Sequence, residues 1–275
     1  MNYRHSYHAG CFADVLKHVI LIELIKSLKQ KDKPFFYLDT HAGRGLYDLA
    51  SAAALKTQEA DFGIKRLLEL NKRKIPEVLK DYMATIKACQ HTETEYPGSP
   101  LIVRELMRPD DRMFLTELHP EEFALLKDLF SRDSQVVVQH QDAYQGLKAL
   151  LPPTPRRGLV LIDPAFEVTD EFERIIKGLK EALSRWQNGI YAIWYPIKDK
   201  ANVSNFKRKI KNLNLPYVNI SLQIFGDEEE GLTKTGVVII NPPYQFEAIM
   251  KKIMPELSRL LADNGAGEYK IESFE

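Results

Sequence analysis

Five short apolar runs, at residues 35–39, 113–117, 135–139, 159–163 and 190–195, are joined by stretches long enough for a helix. Strands linked through helices cannot pair as tight hairpins, so they line up in parallel with helices covering both faces of the sheet. Two further runs, 217–224 and 236–240, are separated by an acidic turn with no clear helix. They are expected as an antiparallel, hairpin-like pair at the sheet edge. The implied fold class is α/β, with a Rossmann-like sheet of seven strands.

The first two strands are unusually far apart. A dinucleotide-type fold places its acidic ribose residue about 20 residues beyond the glycine loop, yet Asp39 and Glu117 are 78 positions apart. The excess is helical in pattern, through Phe62, Ile64, Leu67, Leu68, Ile75, Val78, Leu79, Tyr82 and Met83, and ends at Tyr96-Pro97-Gly98-Ser99-Pro100. Residues 48–96 therefore read as an inserted helical subdomain, with 1–47 and 97–275 forming the main domain. Ahead of the first strand, an amphipathic helix is expected from near Ala13 to before Lys33-Pro34, its apolar stripe running through Val15, Leu16, Val19, Ile20, Leu24, Ile25 and Leu28. Lys17 and His18 lie beside that stripe, facing either solvent or the mouth of the sheet.

Four acids, Asp39, Glu117, Asp142 and Asp163, fall at or just beyond the carboxyl ends of successive strands. Open parallel sheets bind ligands along that edge. Asp39 opens the segment Asp39-Thr40-His41-Ala42-Gly43-Arg44-Gly45, whose glycines let backbone approach a ligand closely. Asp39 would hold the donor region of a cofactor, with His41 and Gly43 at its edge. Glu117 can accept from two ribose hydroxyls, and Asp142, followed by Ala143, can accept from an adenine amine. Each acid alone is an ordinary solvated strand end. Four in register point to S-adenosylmethionine rather than NAD, because a dinucleotide site needs only the first two, and the matching fold is the class I S-adenosylmethionine-dependent methyltransferase.

Asp163 begins Asp163-Pro164-Ala165-Phe166, which resembles the Asp-Pro-Pro-Tyr signature of enzymes that methylate exocyclic amino groups. An adenine N6 amine has its lone pair delocalised into the ring and becomes a useful nucleophile when acceptors grip its hydrogens. A carboxylate and the Pro164 carbonyl can do that, and proline has no N–H to occupy the neighbouring acceptors. Phe166 offers a flat face for a flipped base. An Asp-Pro pair after a strand is also an ordinary turn opening. A rival, Asn241-Pro242-Pro243-Tyr244, is closer in letters but follows the last strand, in the antiparallel pair, where two prolines mostly stop a strand.

Formal charge is zero, 38 Lys plus Arg against 38 Asp plus Glu, so a nucleic-acid surface must come from local asymmetry. Basic runs at 65–74 and 198–211 read either as solvated helix faces or, with Tyr3, Arg4, His5 and Tyr7, as a phosphate-tracking surface. His5, His8 and His18 match no metal-ligand spacing, and no metal is expected. Cys11 and Cys89 are too few for a disulfide framework and fit a reducing compartment. No run is long enough to span a bilayer and no secretory pattern is present, so a cytoplasmic protein off the membrane is expected.

Taken together, Tyr3-Arg4-His5-Ser6, His8-Ala9-Gly10, Ala13-Asp14-Val15-Leu16-Lys17-His18, Tyr37-Leu38-Asp39-Thr40-His41-Ala42-Gly43, Tyr96-Pro97-Gly98-Ser99-Pro100, Leu115-Thr116-Glu117-Leu118-His119-Pro120, Arg156-Arg157-Gly158, Ile162-Asp163-Pro164, Trp194-Tyr195-Pro196 and Asn241-Pro242-Pro243 resemble a known family. It is that of the bacterial 23S ribosomal RNA adenine-N6 methyltransferases of the RlmJ type. The resemblance covers nearly the full chain. It implies cofactor contacts at His18, His41, Ser99, Glu117, Asp142 and Asp163, the last doubling as catalytic acceptor, and a monomer acting on 23S ribosomal RNA before or during subunit assembly. Tyr3, with Arg4, His5 and Lys17, is expected on the RNA side.

The chain departs from the family at Ala165 and Phe166, where one proline and one hydroxyl are missing. The second proline's absence loosens the loop by up to about 1 kcal/mol through unfolded-state freedom. Two alternatives stay open: a methyltransferase acting on DNA adenine or a protein amide, and a non-catalytic nucleic-acid-binding factor serving the use of external DNA.

Overall fold

The computed structural model describes residues 4–70, 75–226, 229, 231–263, 265 and 267–274. In chain order these form α1 (Phe12–Lys29), β1 (Phe36–Asp39), β2 (Leu46–Asp48), α2 (Ala52–Thr57), α3 (Ile64–Leu68), α4 (Lys80–Cys89), β3 (Glu95–Pro97), α5 (Ser99–Leu106) and β4 (Arg112–Glu117). They continue through α6 (Pro120–Leu129), β5 (Val136–His140), α7 (Ala143–Leu150), β6 (Gly158–Ile162), α8 (Glu171–Arg185), β7 (Ile190–Pro196), α9 (Lys200–Lys211), β8 (Tyr217–Gln223), β9 (Lys234–Ile240), α10 (Phe246–Leu261) and β10 (Glu268–Phe274).

The main sheet has the order β10-β8-β9-β7-β6-β1-β4-β5. β1 lies between β4 and β6, parallel to both, with Asp39 level with Leu115 and Leu161. β5 and β7 extend the parallel set on either side. β9 runs antiparallel between β7 and β8, so Ile240, its last residue, sits opposite Tyr191 near the start of β7. Without β10 this is the class I methyltransferase order, including the reversed penultimate position. The expected edge pair is therefore partly internal: β10 adds an eighth strand against β8. Its sequence, Glu268-Tyr269-Lys270-Ile271-Glu272-Ser273-Phe274, is polar and mostly exposed, so no apolar run announced it.

Both faces of the sheet are covered, and strand residues alternate between two cores with the period of 2 that a pleat imposes. Tyr37, Leu159 and Leu161 pack toward α1, α10 and the 48–96 segment, while Leu38, Val160 and Ile162 pack toward α7, α8 and α9. α1 is more enclosed than an amphipathic surface helix. Fifteen of its 18 residues are buried, including Asp14, Lys17, His18 and Glu23, because α4, α5 and α10 pack against it in addition to the sheet.

The 48–96 segment leaves and rejoins the sheet through a two-stranded ribbon of β2 and β3, which pairs Tyr47 with Tyr96. Its Ile64, Leu67, Leu79, Tyr82 and Ile86 join the same core as α1, whereas Phe62 and Leu68 of the expected apolar face are exposed. The N-terminal segment is fastened to it. Ile64 N–H donates to Gly10 O at 2.8 Å, and a Cβ at Gly63 would stand 2.0 Å from that same oxygen, so the close approach requires glycine. No helix among the described residues is long and apolar enough to cross a membrane.

Candidate active site

The carboxyl ends of β1, β4 and β6 and the first turns of α1 enclose a cavity of about 460 Å³. His18, His41, Ser99, Glu117, Asp163 and Phe166 all line it. A smaller cavity of about 70 Å³ shares His41, Glu117 and Pro164 with the first and continues to Asp142 and Ala143. Residues from five separate stretches of chain thus meet at one edge because the parallel register brings their strands to a common level.

Glu117 is buried, and its carboxylate accepts the His119 N–H at 2.7 Å and the Gly43 N–H at 2.8 Å. Burial raises its pKa, opposed by those backbone hydrogen bonds. No cationic side chain among the described residues pairs with it, so its remaining lone pairs are available to hydroxyl donors in the cavity. Asp142 caps α7, accepting from Tyr144 N–H at 3.0 Å and Gln145 N–H at 3.1 Å through Oδ1, while Arg174 approaches Oδ2 at 3.3 Å.

Asp39 stands behind the cavity wall and lines neither cavity, contrary to the expectation of a cofactor-facing acid. It is wholly buried, and Oδ2 accepts from Ser99 Oγ at 2.6 Å and Tyr37 Oη at 2.8 Å. Its Oδ1 accepts the His41 N–H at 3.3 Å. Burial lifts its pKa to about 6 against those hydrogen bonds. Asp39 therefore holds Ser99 and the His41 backbone in place, and they present the polar surface.

The end of β6 carries the densest charge. Lys17 Nζ donates to Asp163 Oδ2 at 2.5 Å and to Asp14 Oδ1 at 2.8 Å. Asp14 Oδ2 in turn lies 2.8 Å from His5 Nε2 and 3.0 Å from the Gly10 N–H. Burial would weaken the Lys17 ammonium, but the two carboxylates hold its pKa well above the ordinary lysine value. Asp14, despite a burial that alone would raise it, is held well below the carboxylate range by His5 and Lys17. This is where the structure departs from the expected RNA-side position of Lys17. Its side chain is buried beneath Asp163, where it cannot track a phosphate backbone.

Phe166 adopts φ of 52°, a left-handed conformation uncommon for a bulky residue. Its ring meets Phe172 edge-on at 4.9 Å and Trp194 at 5.9 Å, so neighbouring aromatics hold the unusual backbone. The rival Asn241-Pro242-Pro243-Tyr244 lies beyond Ile240, at the opposite edge of the sheet. Asn241 closes a turn there, its Nδ2 donating to Gln187 O at 2.7 Å and Gly189 O at 2.8 Å.

Among the remaining expectations, Tyr3 and the basic residues Lys72, Arg73 and Lys74 lie outside the described residues. Arg4 is exposed and pairs with Glu121 at 2.9 Å. Much of the basic run around α9 is internally paired: Lys207 meets Glu272 at 2.8 Å and Lys209 meets Glu173. The three N-terminal histidines diverge, His5 to Asp14, His8 to Glu59 and His18 to Tyr96. Asp14, the hub of the Lys17 network, is not among the site residues expected from the sequence. The Asp14-x-x-Lys17 spacing, i to i+3 on a helix, was the available signal.

The model of the family described as "Ribosomal RNA large subunit methyltransferase D, RlmJ" matches residues 32–274. A ribosomal RNA large subunit methyltransferase J from Haemophilus influenzae is 41% identical over 277 residues, covering 99% of this chain and 98% of that protein. The protein of that name from Escherichia coli is 42% identical, covering 98% of each. The crystal structure of protein LPL1258 from Legionella pneumophila superposes with a TM-score of 0.90 at 40% identity, over 97% of this chain and 98% of that one. With a match over most of its length and relatives of this similarity, the chain belongs to the ribosomal RNA large subunit methyltransferase J family.

Proposed function

We propose that this methyltransferase methylates the N6 amine of one adenine in 23S ribosomal RNA. The observation that carries the reading is Asp163, whose Oδ2 is engaged by Lys17 while Oδ1 accepts nothing from the described residues, at the floor of a cavity walled by Pro164 and Phe166. S-adenosylmethionine, the cofactor of the family, supplies an electrophilic methyl group on its sulfonium. The residues present fit it. A cavity of about 460 Å³ is within the range of about 300–1,000 Å³ for ligand pockets, and Glu117 has unused acceptor capacity suited to a pair of ribose hydroxyls.

On this reading Asp163 Oδ1 and the Pro164 carbonyl accept the two amine hydrogens and draw the nitrogen lone pair out of the ring. Phe166 stacks the flipped base and fixes its plane. Holding the nitrogen about 3–3.5 Å from its target turns a bimolecular encounter into a unimolecular step, which supplies most of the acceleration. Attack leaves the nitrogen positively charged and acidic, and Asp163 Oδ1 is the acceptor for its proton. His18, His41, Ser99, Glu117, Asp142 and Ala143 would hold the cofactor across the two connected cavities.

The test is transfer of labelled methyl from S-adenosylmethionine into purified 23S RNA, DNA and protein, followed by nucleoside mass spectrometry. N6-methyladenosine confined to the RNA is expected, and Asp163→Ala should lower its rate by about 100-fold or more. Label in DNA or protein instead would replace the RNA reading, and an unchanged rate in Asp163→Ala would remove Asp163 from the chemistry.

A further inference from the structure

His18 is 1% exposed, yet it borders the main cavity. Its Nδ1 lies 2.8 Å from Tyr96 Oη, which lies 3.2 Å from Tyr82 Oη. The three groups span α1, the β3 strand and helix α4 of the 48–96 segment, and all are buried. The only buried side-chain nitrogen or oxygen wholly enclosed without a partner, among the described residues, is Trp186 Nε1. His18 Nε2 bonds nothing among the described residues, so it keeps contact with the cavity.

A neutral imidazole has one donor and one acceptor nitrogen, and each tyrosine hydroxyl has a single hydrogen to place. Two directions are possible along the chain. If His18 Nδ1–H donated to Tyr96, Tyr96 would donate to Tyr82, and the Tyr82 hydrogen would be left without an acceptor in a buried site, which costs about 1–3 kcal/mol. If Tyr82 donates to Tyr96 and Tyr96 donates to Nδ1, every hydrogen is placed. Only the second direction satisfies the cluster, and it leaves the proton on Nε2.

We infer that Tyr96 is a positioning residue that fixes His18 as the Nε2–H tautomer, presenting a neutral donor to a carboxylate in the cavity. This rests on the cofactor reading above. The acceptor of that chemistry on an S-adenosyl ligand is the carboxylate of its amino-acid arm. Burial pushes the His18 imidazole down to about 3, against the pull of Asp14, so the ring stays neutral near pH 7. The 48–96 segment would then set the polarity of the cofactor cavity through the Tyr96 hydroxyl, without touching the ligand.

The experiment uses the full chain with histidine nitrogens isotopically labelled, read by long-range proton–nitrogen correlation without ligand, with His18→Gln locating the His18 signals. The expected result is a neutral ring protonated on Nε2. In Tyr96→Phe the Nδ1 donor is gone, so the Nδ1–H form should become populated and S-adenosylhomocysteine affinity should fall about 5- to 10-fold by calorimetry. Tyr82→Phe removes a hydroxyl from the same cluster but leaves Tyr96 able to donate, and should keep the Nε2–H form. A ring protonated on Nδ1 in the parent protein, or a tautomer unmoved in Tyr96→Phe, overturns the inference whatever the cofactor does. An Nε2–H ring with S-adenosylhomocysteine affinity unmoved in both Tyr96→Phe and His18→Gln overturns the carboxylate recognition. No binding of S-adenosylhomocysteine by the parent protein would instead overturn the cofactor reading.

Discussion

Lys17 and Asp163, 146 positions apart in sequence, form a part-buried ion pair of 2.5 Å at the cavity wall, with Lys17 itself enclosed. Lys17 is shared with Asp14, so one ammonium separates two carboxylates, and His5 and the Gly10 N–H hold the second of these from the far side. The arrangement aims one Asp163 oxygen at the protein and leaves the other to the cavity.

Lys17→Met should therefore damage both fold and chemistry. The pair of Lys17 with Asp14 is buried, and removing one partner of a buried pair leaves uncompensated charge and typically costs about 3–5 kcal/mol. Asp14 and Asp163 would then repel each other, and Asp163 would lose the contact that orients it. Methyl transfer should fall by about 100-fold, on the scale of losing a transition-state acceptor. Denaturant melts and single-turnover rates on the same preparation separate the two losses, and a variant with parent-like rates would remove Lys17 from the orientation of Asp163.

Much of this was legible in the sequence, for identifiable reasons. β1 and β6 are buried on both faces, so their runs are continuously apolar and their acidic ends stand out. Partners brought together by tertiary structure were not legible. Whether Lys17 faced solvent or the sheet depended on Asp163, and the inward turn of Asp39 depended on Ser99, 60 positions away. β10 escaped because an outer strand over β8 needs few buried side chains, and the β2–β3 ribbon because each of its strands has only three residues.

Phe166→Ala should act on the RNA rather than on the cofactor. A stacked base contributes about 1–3 kcal/mol, so kcat/KM for RNA should drop about 10- to 100-fold. Affinity for S-adenosylhomocysteine should change little, because the ring packs against Phe172 and against Trp194 of β7, whereas Glu117 ends β4, two strands beyond β6 in the sheet. Phe166→Tyr, which restores the hydroxyl of the related motif, should stay within about 3-fold of the parent, as the stacking face is kept. Equal losses in RNA turnover and cofactor affinity for Phe166→Ala would assign the ring to the wrong ligand.

Stability should respond to pH with opposite slopes from different parts of the site. Burial holds His18 at about 3 and His41 at about 4, both below the ordinary 6.5. Between those values the unfolded chain binds more protons than the fold, so their contribution is complete above pH 6.5 and lost as pH falls. For His18 the loss at pH 5 is about 2 kcal/mol, and it is smaller for His41, which is partly open to the cavity. Asp39, raised to about 6 from 3.8, does the reverse, and its burial lowers stability progressively as pH rises from about 4 to 6. Melting temperatures across pH 4–8 should therefore show Asp39→Asn gaining on the parent as pH rises. A difference that stays flat would mean that Asp39 is not the group responsible.

Asn241-Pro242-Pro243-Tyr244 offers the sharpest contrast, because its letters match the amino-methyltransferase signature while its place does not. Tyr244 is 87% exposed, and the antiparallel run of β9 delivers it to the edge opposite Asp163. Tyr244→Ala should leave methyl transfer within about 2-fold, since exposed side chains away from buried networks rarely matter by more than about 0.5 kcal/mol. Asn241→Ala should lower stability by about 1–2 kcal/mol, because two backbone carbonyls lose a donor and alanine is less at ease with φ of 54°. Its catalytic rate at a temperature where it remains folded should match the parent. The decisive measurement is a paired assay of Tyr244→Ala and Phe166→Ala on the same RNA. If Tyr244→Ala lost activity as steeply as Phe166→Ala, the reacting edge of the sheet would have to be reassigned.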